Sequence, residues 1–333
     1  MRNLIVITLY EGWNDSYKSM LKYERGIKFF SVFSGISFFP DKWGIIKNEI
    51  FSFHYFLYRF RRFRDNLVLC HGGHLGALVC LKLFPFLFGK SFHLFIYNFY
   101  IHSASNNYFV KKILCFLFSN SQKYTLIVQS LFEIEYYEYL CPTLNIEFVY
   151  YCSDVKACEN IVVKDYIFTG GYTNRDYLLM LKVARKMPTE KFVFIASKLN
   201  KELIDEHIPS NVTVYYDVTN LEFEHYLAES KIVVIPLKEN VGASGQMLCL
   251  QAMRNRKAII YTDISSINYY FTKEAGLPYE LGNFSSLMEK MEYLLGNRNE
   301  IKKMGERAYQ NSLHYTIDSR NQLLLEIIRK SRS

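Results

Sequence analysis

The 333-residue sequence has little proline and glycine, with 7 and 16 residues, and no internal repeat. That composition excludes collagen-like and low-complexity chains, and 50% hydrophobic residues are enough for two α/β domains with full cores. No apolar run reaches the roughly 18 residues of a membrane-spanning helix. The first ten residues also turn polar too soon for a signal peptide. We therefore expect a cytoplasmic protein that is soluble or peripheral to a membrane.

Signatures of metal binding and of disulfides are also missing. The seven cysteines form no CxxC pair and no Cys/His spacing of a zinc site, and no Asp-x-Asp motif occurs. Most of these cysteines lie in apolar segments, which predicts buried and reduced thiols. The sequence predicts no metal site and no bound cofactor.

Acidic residues are scarce in the N-terminal part. Residues 1–128 hold 16 Lys and Arg against 6 Asp and Glu, within a chain of net charge +8. In the stretch YRFRRFRDN at 58–66, basic residues alternate with aromatic ones. Such a surface suits anionic lipid headgroups better than nucleic acid, so we expect an anionic membrane surface as partner and no nucleic acid. A solvated helix end is the alternative interpretation of 58–66.

Strand and helix patterns alternate with short turns, and the alternation occurs twice. In the first half, helical spacing predicts helices over 14–29 and 46–64, between apolar strands such as LIVITLY and TLIVQS. After a linker at 152–164, the pattern restarts with DYIFTGG. Such alternation is typical of an α/β fold with parallel, doubly wound sheets.

Two turns with glycines follow strands of the second half. In the stretch from Ile235 to Asp263, a loop containing Gly242 and Gly245 lies between an apolar strand and a helix. Backbone N–H groups and the helix dipole make such a helix start a site for anions, most often phosphate. The other turn, FTGGYTNRDY at 168–177, ends a strand at a glycine pair. Since ligands of open α/β sheets bind at the carboxyl ends of strands, the two turns together predict a nucleotide site.

The residue types in these turns suggest individual roles. Glycines 170 and 171 let the backbone approach a diphosphate, which Arg175 would neutralise, whereas the alternative is a left-handed turn with an exposed arginine. Ser244 would cap the helix and face a phosphate, and Lys238 would reach it unless it is merely solvated. The Gln251 amide would receive ribose hydroxyls, or else face solvent. The candidate residues of the nucleotide site are Gly170, Gly171, Asn174, Arg175, Lys238, Ser244, Gly245, Gln246 and Gln251.

The segments FTGGYTNRDY and IPL…SGQMLCLQAMRNRKAIIYTD resemble the donor-binding domain of GT-B glycosyltransferases near family 4. That group has the pattern Gly-x-x-x-Leu-Glu-Ala-Met-Ala-x-Gly-Lys-Pro-Val-Ile, and this chain has Leu250-Gln251-Ala252-Met253 followed by Arg256-Lys257-Ala258-Ile259-Ile260. The likeness covers residues 165–315 well and the N-terminal half only in outline. The paired glutamates of the family, separated by seven residues, fall on Ala243 and Gln251.

The resemblance implies the GT-B fold, in which two Rossmann-like domains face each other across a cleft. It implies an acceptor-binding domain over 1–155, a nucleotide-sugar domain over 165–315, and a helix over 316–333 that packs back on the first domain. It also implies transfer of a sugar from a UDP-sugar or GDP-sugar to a lipid-linked oligosaccharide in bacterial cell-surface polysaccharide synthesis, such as capsule, on the inner face of the membrane. The Ser-Gly-Gln variant is similar to a subset of polysaccharide-building enzymes, which lends Ser244, Gly245 and Gln246 a donor role.

Base candidates lie at strand ends of the N-terminal half. Transfer needs a group that takes the acceptor proton, and His71, His102 and Glu11 are the residues we select for it. A structural role is the alternative for each of them. Two other functions stay open: a sugar-nucleotide epimerase of the same architecture, and a non-catalytic sugar-nucleotide-binding protein. An epimerase has no need of a basic, aromatic membrane face, whereas the missing glutamates would suit a binding protein.

Overall fold

The computed structural model describes residues 3–33, 42–72, 75–98, 108–119, 123–154, 156–205, 208–271 and 274–331. The chain divides into two compact units. The first comprises Met1–Tyr150 together with Ile317–Ser333, and the second is Tyr151–Thr316. Within the described ranges, no helix combines the length and apolar character needed to cross a bilayer.

The first unit is built on a parallel six-stranded sheet with strand order β2-β1-β3-β4-β5-β6. Apolar side chains on both faces of the sheet are buried, as expected when helices cover both faces. Its strands are β1 Leu4–Tyr10, β2 Lys28–Phe33, β3 Leu67–His71, β4 His93–Tyr97, β5 Tyr124–Val128 and β6 Ile146–Phe148. Its helices up to residue 150 are α1 Lys42–Tyr58, α2 Phe60–Phe63, α3 Leu75–Leu83, α4 Tyr108–Phe118 and α5 Leu131–Leu140, with 3-10 helices at Glu11–Lys22 and Pro85–Phe88.

The second unit repeats this plan with strand order β12-β11-β10-β7-β8-β9, again parallel throughout. Its strands are β7 Ile167–Gly171, β8 Phe192–Ala196, β9 Val212–Tyr216, β10 Ile232–Ile235, β11 Ala258–Thr262 and β12 Leu277–Tyr279. Its helices are α6 Tyr177–Lys186, α7 Lys201–Asp205, α8 Asn220–Glu229, α9 Gln246–Arg254, α10 Phe284–Gly296 and α11 Arg298–Ser312, with 3-10 helices at Lys198–Asn200 and Asn268–Tyr270. Two parallel, doubly wound sheets confirm the α/β, Rossmann-like prediction.

The final helix, α12 at Ile317–Lys330, belongs to the first unit. Its residues Leu324, Leu325 and Ile328 are fully buried in the core that also contains Leu4 and Val6 of β1. The 3-10 helix at Glu11–Lys22 is its main neighbour. The core of the first unit is therefore completed by a helix that follows the whole second unit in sequence.

One sequence expectation in this unit is wrong. The predicted helix over 14–29 ends at Lys22, and Lys28–Phe33 forms β2, paired in parallel with β1 from Ile5↔Lys28 to Tyr10↔Phe33. Short apolar runs carry no decisive periodicity, so pairing with β1 determines the conformation here. The helix predicted over 46–64 is present as α1 and α2, interrupted near Arg59.

Candidate functional site

The two turns with glycines lie side by side at the carboxyl edge of the second sheet. β7 ends at Gly171, and its neighbour β10 runs parallel to it and ends at Ile235. A single bridge pairs Arg175 with Leu237 just beyond the two strands. The backbone N–H of Asp176 also donates to the Pro236 carbonyl at 2.8 Å. Segments more than 60 residues apart in sequence therefore form one surface.

Asn174 joins the two loops through its side chain. Its Oδ1 accepts from the Glu239 N–H at 3.0 Å, while its Nδ2 donates to the Glu239 carbonyl at 2.9 Å and to Ser244 Oγ at 3.0 Å. Asn174 has a φ of 53°, a left-handed conformation that asparagine tolerates better than most residues. Ser244 thereby lies beside the turn at Gly170 and Gly171. It does not cap α9 as predicted, because the N-cap position is Gly245 and no side chain caps the helix there.

The guanidinium of Arg175 folds back over Gly171. Its Nε donates to the Gly170 carbonyl at 2.9 Å and its Nη1 to the Thr173 carbonyl at 3.0 Å. An added Cβ at Gly171 would lie 2.5 Å from Nε, and the φ of 144° there also favours glycine. Desolvation lowers the pKa of Arg175 below its usual value. Since no carboxylate of the described residues forms an ion pair with it, this partly desolvated charge is available to an anion.

The loop between β10 and α9 is fixed by a hydrogen bond and by close packing. The Leu237 N–H donates to Thr262 Oγ1 of β11 at 2.7 Å. Gly245 precedes α9 with a φ of 83°, and an added Cβ would lie 3.2 Å from the Leu237 side chain. The first N–H groups of α9 have no acceptor within the helix, so they can bind an anion at this point. Lys238 in the same loop is exposed.

The two glutamines of α9 occupy different surroundings. Gln246 is buried, and its Nε2 donates to the Tyr269 hydroxyl at 2.6 Å, so this amide N–H is already used. Gln251 is 7% exposed and its Nε2 donates to Glu224 Oε1 of α8 at 3.1 Å. The Gln251 Oε1 is buried with no hydrogen-bond partner among the described residues. The Gln251–Glu224 pair is therefore a polar site with an unused acceptor.

Sequence reasoning missed Glu224. The capping box of Thr219 and Glu222 marks the start of α8, but the contacts of this helix depend on the sheet order. In the structure, Phe223 packs edge-on against Phe168 with ring centroids 5.4 Å apart. An added Cβ at Gly170 would lie 2.8 Å from the Phe223 ring. The glycine is thus required for the close approach of α8, which also carries Glu224.

The carboxyl edge of the first sheet carries an aromatic cluster around His71, the last residue of β3. The His71 ring stacks on Trp13 with centroids 4.2 Å apart and lies 5.2 Å from the Tyr97 ring. The side chain is half-buried. Of the other two predicted bases, Glu11 begins a 3-10 helix but its side chain lies outside the described atoms, and His102 lies outside the described residues.

Polar groups that sequence analysis did not select contact the tyrosine rings next to His71. Gln129 Nε2 donates to the Tyr97 hydroxyl at 2.5 Å. Arg320 of α12 is buried, with its guanidinium 4.5 Å above the Tyr17 ring and 5.7 Å from the Tyr97 ring. Its Nη2 donates to the Ser16 carbonyl at 2.6 Å. The contact between Arg320 and Ser16 joins residues more than 300 positions apart in sequence, so no local pattern can reveal it.

A buried acid, Glu133 in the first turn of α5, lies near this cluster. Its Oε2 accepts from the Gln129 N–H at 3.1 Å. Burial raises the pKa of Glu133 to about 7, although hydrogen bonds from the Gln129 and Ser130 N–H groups oppose the shift. Across the residues described, no cluster of three or more His, Cys, Asp or Glu side chains has the arrangement of a metal site.

No protein-family model matches the sequence, and no curated protein matches it. Solved structures match over the whole chain. A sucrose-phosphate synthase from Thermosynechococcus elongatus superimposes with a TM-score of 0.72 at 9% identity, covering 99% of each chain. Anabaena HepE in complex with UDP gives 0.69 at 11% identity, covering 99% of this chain and 100% of HepE. A glycosyltransferase from Rickettsia africae gives 0.67 at 13%, covering 100% and 99%. These comparisons confirm that the chain has the GT-B fold of solved glycosyltransferases.

Proposed function

We propose that this protein transfers a sugar from a nucleoside diphosphate to an acceptor hydroxyl. The observation that carries the proposal is the joined pair of loops in the second unit, where Asn174 holds Ser244 beside the Gly171 turn and Arg175 presents a charge without an ion pair among the described residues. A diphosphate matches this arrangement because it needs cations and backbone N–H donors together. Of the similar structures, HepE was solved with UDP and with UDP-glucose, which supports a uridine nucleotide.

Each part of the site has a role in this reaction. Arg175, Lys238 and the start of α9 hold the diphosphate, while Gln251 and Glu224 accept the ribose hydroxyls. The acceptor oxygen forms a bond to the anomeric carbon, and the bond from that carbon to the diphosphate oxygen breaks with its electron pair leaving on the nucleotide. Cationic groups stabilise the charge that develops on this leaving group, without need of a metal ion. The acceptor proton passes to a base, for which His71, His102 and Glu11 are our candidates.

The acceptor in our proposal is a lipid-linked glycan of cell-surface polysaccharide synthesis, and the enzyme is peripheral on the inner face of the membrane. Support comes from helices of the first unit that expose large apolar side chains beside cations. Phe51 of α1 is 61% exposed and Phe116 of α4 is 58% exposed. Lys82 lies 4.9 Å from the Phe116 ring, and Arg59 lies 5.1 Å from the Tyr55 ring. Cationic and aromatic side chains in this mixture suit the headgroup region of an anionic bilayer.

Nucleotide titration tests the donor site. We expect UDP or GDP to bind the wild type, and we expect Arg175→Gln to weaken binding by about tenfold or more, since a charge-assisted contact is worth about 1.5–3 kcal/mol. Arg256→Gln is the matched control, because Arg256 already pairs with Glu306 at 3.0 Å and precedes β11, at the opposite edge of the sheet. Equal affinities of the wild type and Arg175→Gln, or no nucleotide binding at all, would refute the donor site.

A product assay separates transfer from the alternatives. The wild type incubated with a UDP-sugar and lipid-linked acceptor should release UDP and yield an elongated acceptor. Epimerisation would instead return a UDP-sugar of altered configuration, and a non-catalytic binding protein would leave the donor intact. Either of those outcomes contradicts the proposed transfer while leaving the nucleotide site in place.

A further inference from the structure

A pocket lies at the edge of the first sheet where the strands begin, opposite to the aromatic cluster around His71. It has a volume of about 230 Å³ and is lined by Asn3, Ile5, Lys28, Phe30, Arg62 and Asn66. Asn3 precedes β1, Lys28 begins β2 and Asn66 precedes β3, so the pocket lies at the amino edge. Strands of five to seven residues place it roughly 15–20 Å from the carboxyl edge at about 3.3 Å per residue. It is therefore separate from the aromatic cluster around His71.

The pocket has two cations and an apolar floor. Lys28 and Arg62 are both exposed, and neither forms an ion pair with any described carboxylate. The Arg62 guanidinium lies 5.1 Å from the centroid of the Phe30 ring, so the planar group is held against an aromatic face. Ile5 at the bottom is 3% exposed. Two cations over an apolar floor suit an anion that carries a small organic part.

Hydrogen bonds around the pocket fix its rim. The Asn3 N–H donates to Asn66 Oδ1 at 3.2 Å, and Asn66 Nδ2 donates to the Arg62 carbonyl at 3.0 Å. The Asn66 side chain therefore connects the start of β1 to the end of α2. Arg62 is held by this network through its backbone, which leaves the guanidinium donors for a ligand. Arginine binds phosphate in a two-pronged geometry that lysine complements as a point charge.

We propose that this pocket binds a phosphate monoester, with the phosphate between Lys28 and Arg62 and the organic part against Phe30. Two cations match the double charge of a monoester better than the single charge of a diester. The volume lies below the roughly 300–1,000 Å³ of sites for drug-sized ligands, so it suits a headgroup-sized ester. Such an ester is either the headgroup of phosphatidic acid in a membrane or a soluble molecule such as glycerol 3-phosphate. This site is independent of the nucleotide site in the second unit.

Calorimetric titration with glycerol 3-phosphate tests the pocket for soluble esters. Vesicle flotation tests it for lipids, with phosphatidic acid compared against phosphatidylglycerol at matched surface charge. Arg62→Gln is the variant, and Arg61→Gln is the matched control. Arg61 lies on the same four-residue helix 5.9 Å from the Phe60 ring and does not line the pocket. Both changes remove one positive charge, so they weaken diffuse attraction to anions equally. Lys28→Gln provides a second variant on a different element if Arg62→Gln does not fold.

We expect Arg62→Gln to weaken monoester binding by about tenfold while Arg61→Gln does not, with saturating UDP leaving both results unchanged. Binding of glycerol 3-phosphate without a preference for either lipid identifies a soluble ligand. Stronger retention on phosphatidic acid than on phosphatidylglycerol identifies a lipid. Equal losses in the two variants would overturn the proposal, and so would equal retention on both lipids together with no binding of glycerol 3-phosphate. Competition by UDP would also overturn it, because the ester would then occupy the nucleotide site.

Discussion

Replacement of Glu133 by glutamine should make the protein more stable at alkaline pH relative to the wild type. Glu133 is 4% exposed, and burial raises the pKa of its carboxyl from 4.5 to about 7. Because the folded state binds the proton more tightly than the unfolded state, the contribution to stability is complete below pH 4.5. It is lost as the pH rises through 7. At 1.36 kcal/mol for each pKa unit, the loss amounts to about 3 kcal/mol by pH 8.

Glutamine is neutral at every pH and keeps a carbonyl oxygen for the Gln129 N–H. The free energy of unfolding of Glu133→Gln, minus that of the wild type, should therefore increase by about 3 kcal/mol between pH 4.5 and pH 8. Denaturant titration at the two pH values measures this difference. Glu138→Gln on the same helix is the control, because Glu138 is exposed and its replacement removes a carboxylate that is not buried. A difference that is the same at both pH values for Glu133→Gln would refute burial as the cause of the shift.

Three other substitutions test contacts described above. Asn174→Gly keeps the left-handed backbone but removes three side-chain hydrogen bonds, so the affinity for UDP should fall by about tenfold in a titration. Asn174→Ala should weaken UDP binding further, because alanine disfavours the left-handed backbone. Unchanged affinity would show that the site does not need the link between the two loops. Gly245→Ala should lower the free energy of unfolding by about 1–2 kcal/mol, because alanine is strained at this positive φ. Gly296 has open space around it, so Gly296→Ala should not lower it. Equal midpoints of the two variants in thermal unfolding would contradict this prediction. Arg320→Met should destabilise the first unit by about 2–3 kcal/mol in denaturant titration because the Ser16 carbonyl loses its charged donor; a wild-type midpoint would exclude that role.

Much of the architecture could be predicted from the sequence because apolar strands and amphipathic helices alternate regularly. Glycines at positive φ, such as Gly171 and Gly245, also mark the edge at which the loops meet. The helix predicted over 14–29 extends past the observed end at Lys22 and into the first two residues of β2, where the conformation depends on pairing with β1. Local patterns lose their value wherever a distant partner decides the structure.

The candidate site shows the same limit. Asn174 and Arg175 were selected as residues of the glycine turn at 168–177, but the bonds from Asn174 to Glu239 and Ser244 follow from the order of β7 and β10 in the sheet. The pairing of Gln251 with Glu224 likewise requires that α8 pack beside α9. A sequence motif thus indicated which loops matter, and the sheet topology determined which side chains meet there.

The return of Ile317–Lys330 to the first unit has a consequence for biogenesis. On the ribosome, residues 151–316 must be synthesised before α12 becomes available, which takes about 8–33 s at about 5–20 residues per second. During that interval the surface that Leu324, Leu325 and Ile328 later cover is open. The second unit, which is continuous in sequence, can complete its core first. A nascent chain of this kind therefore exposes an apolar face that chaperones can bind, and its maturation depends on the arrival of its last helix.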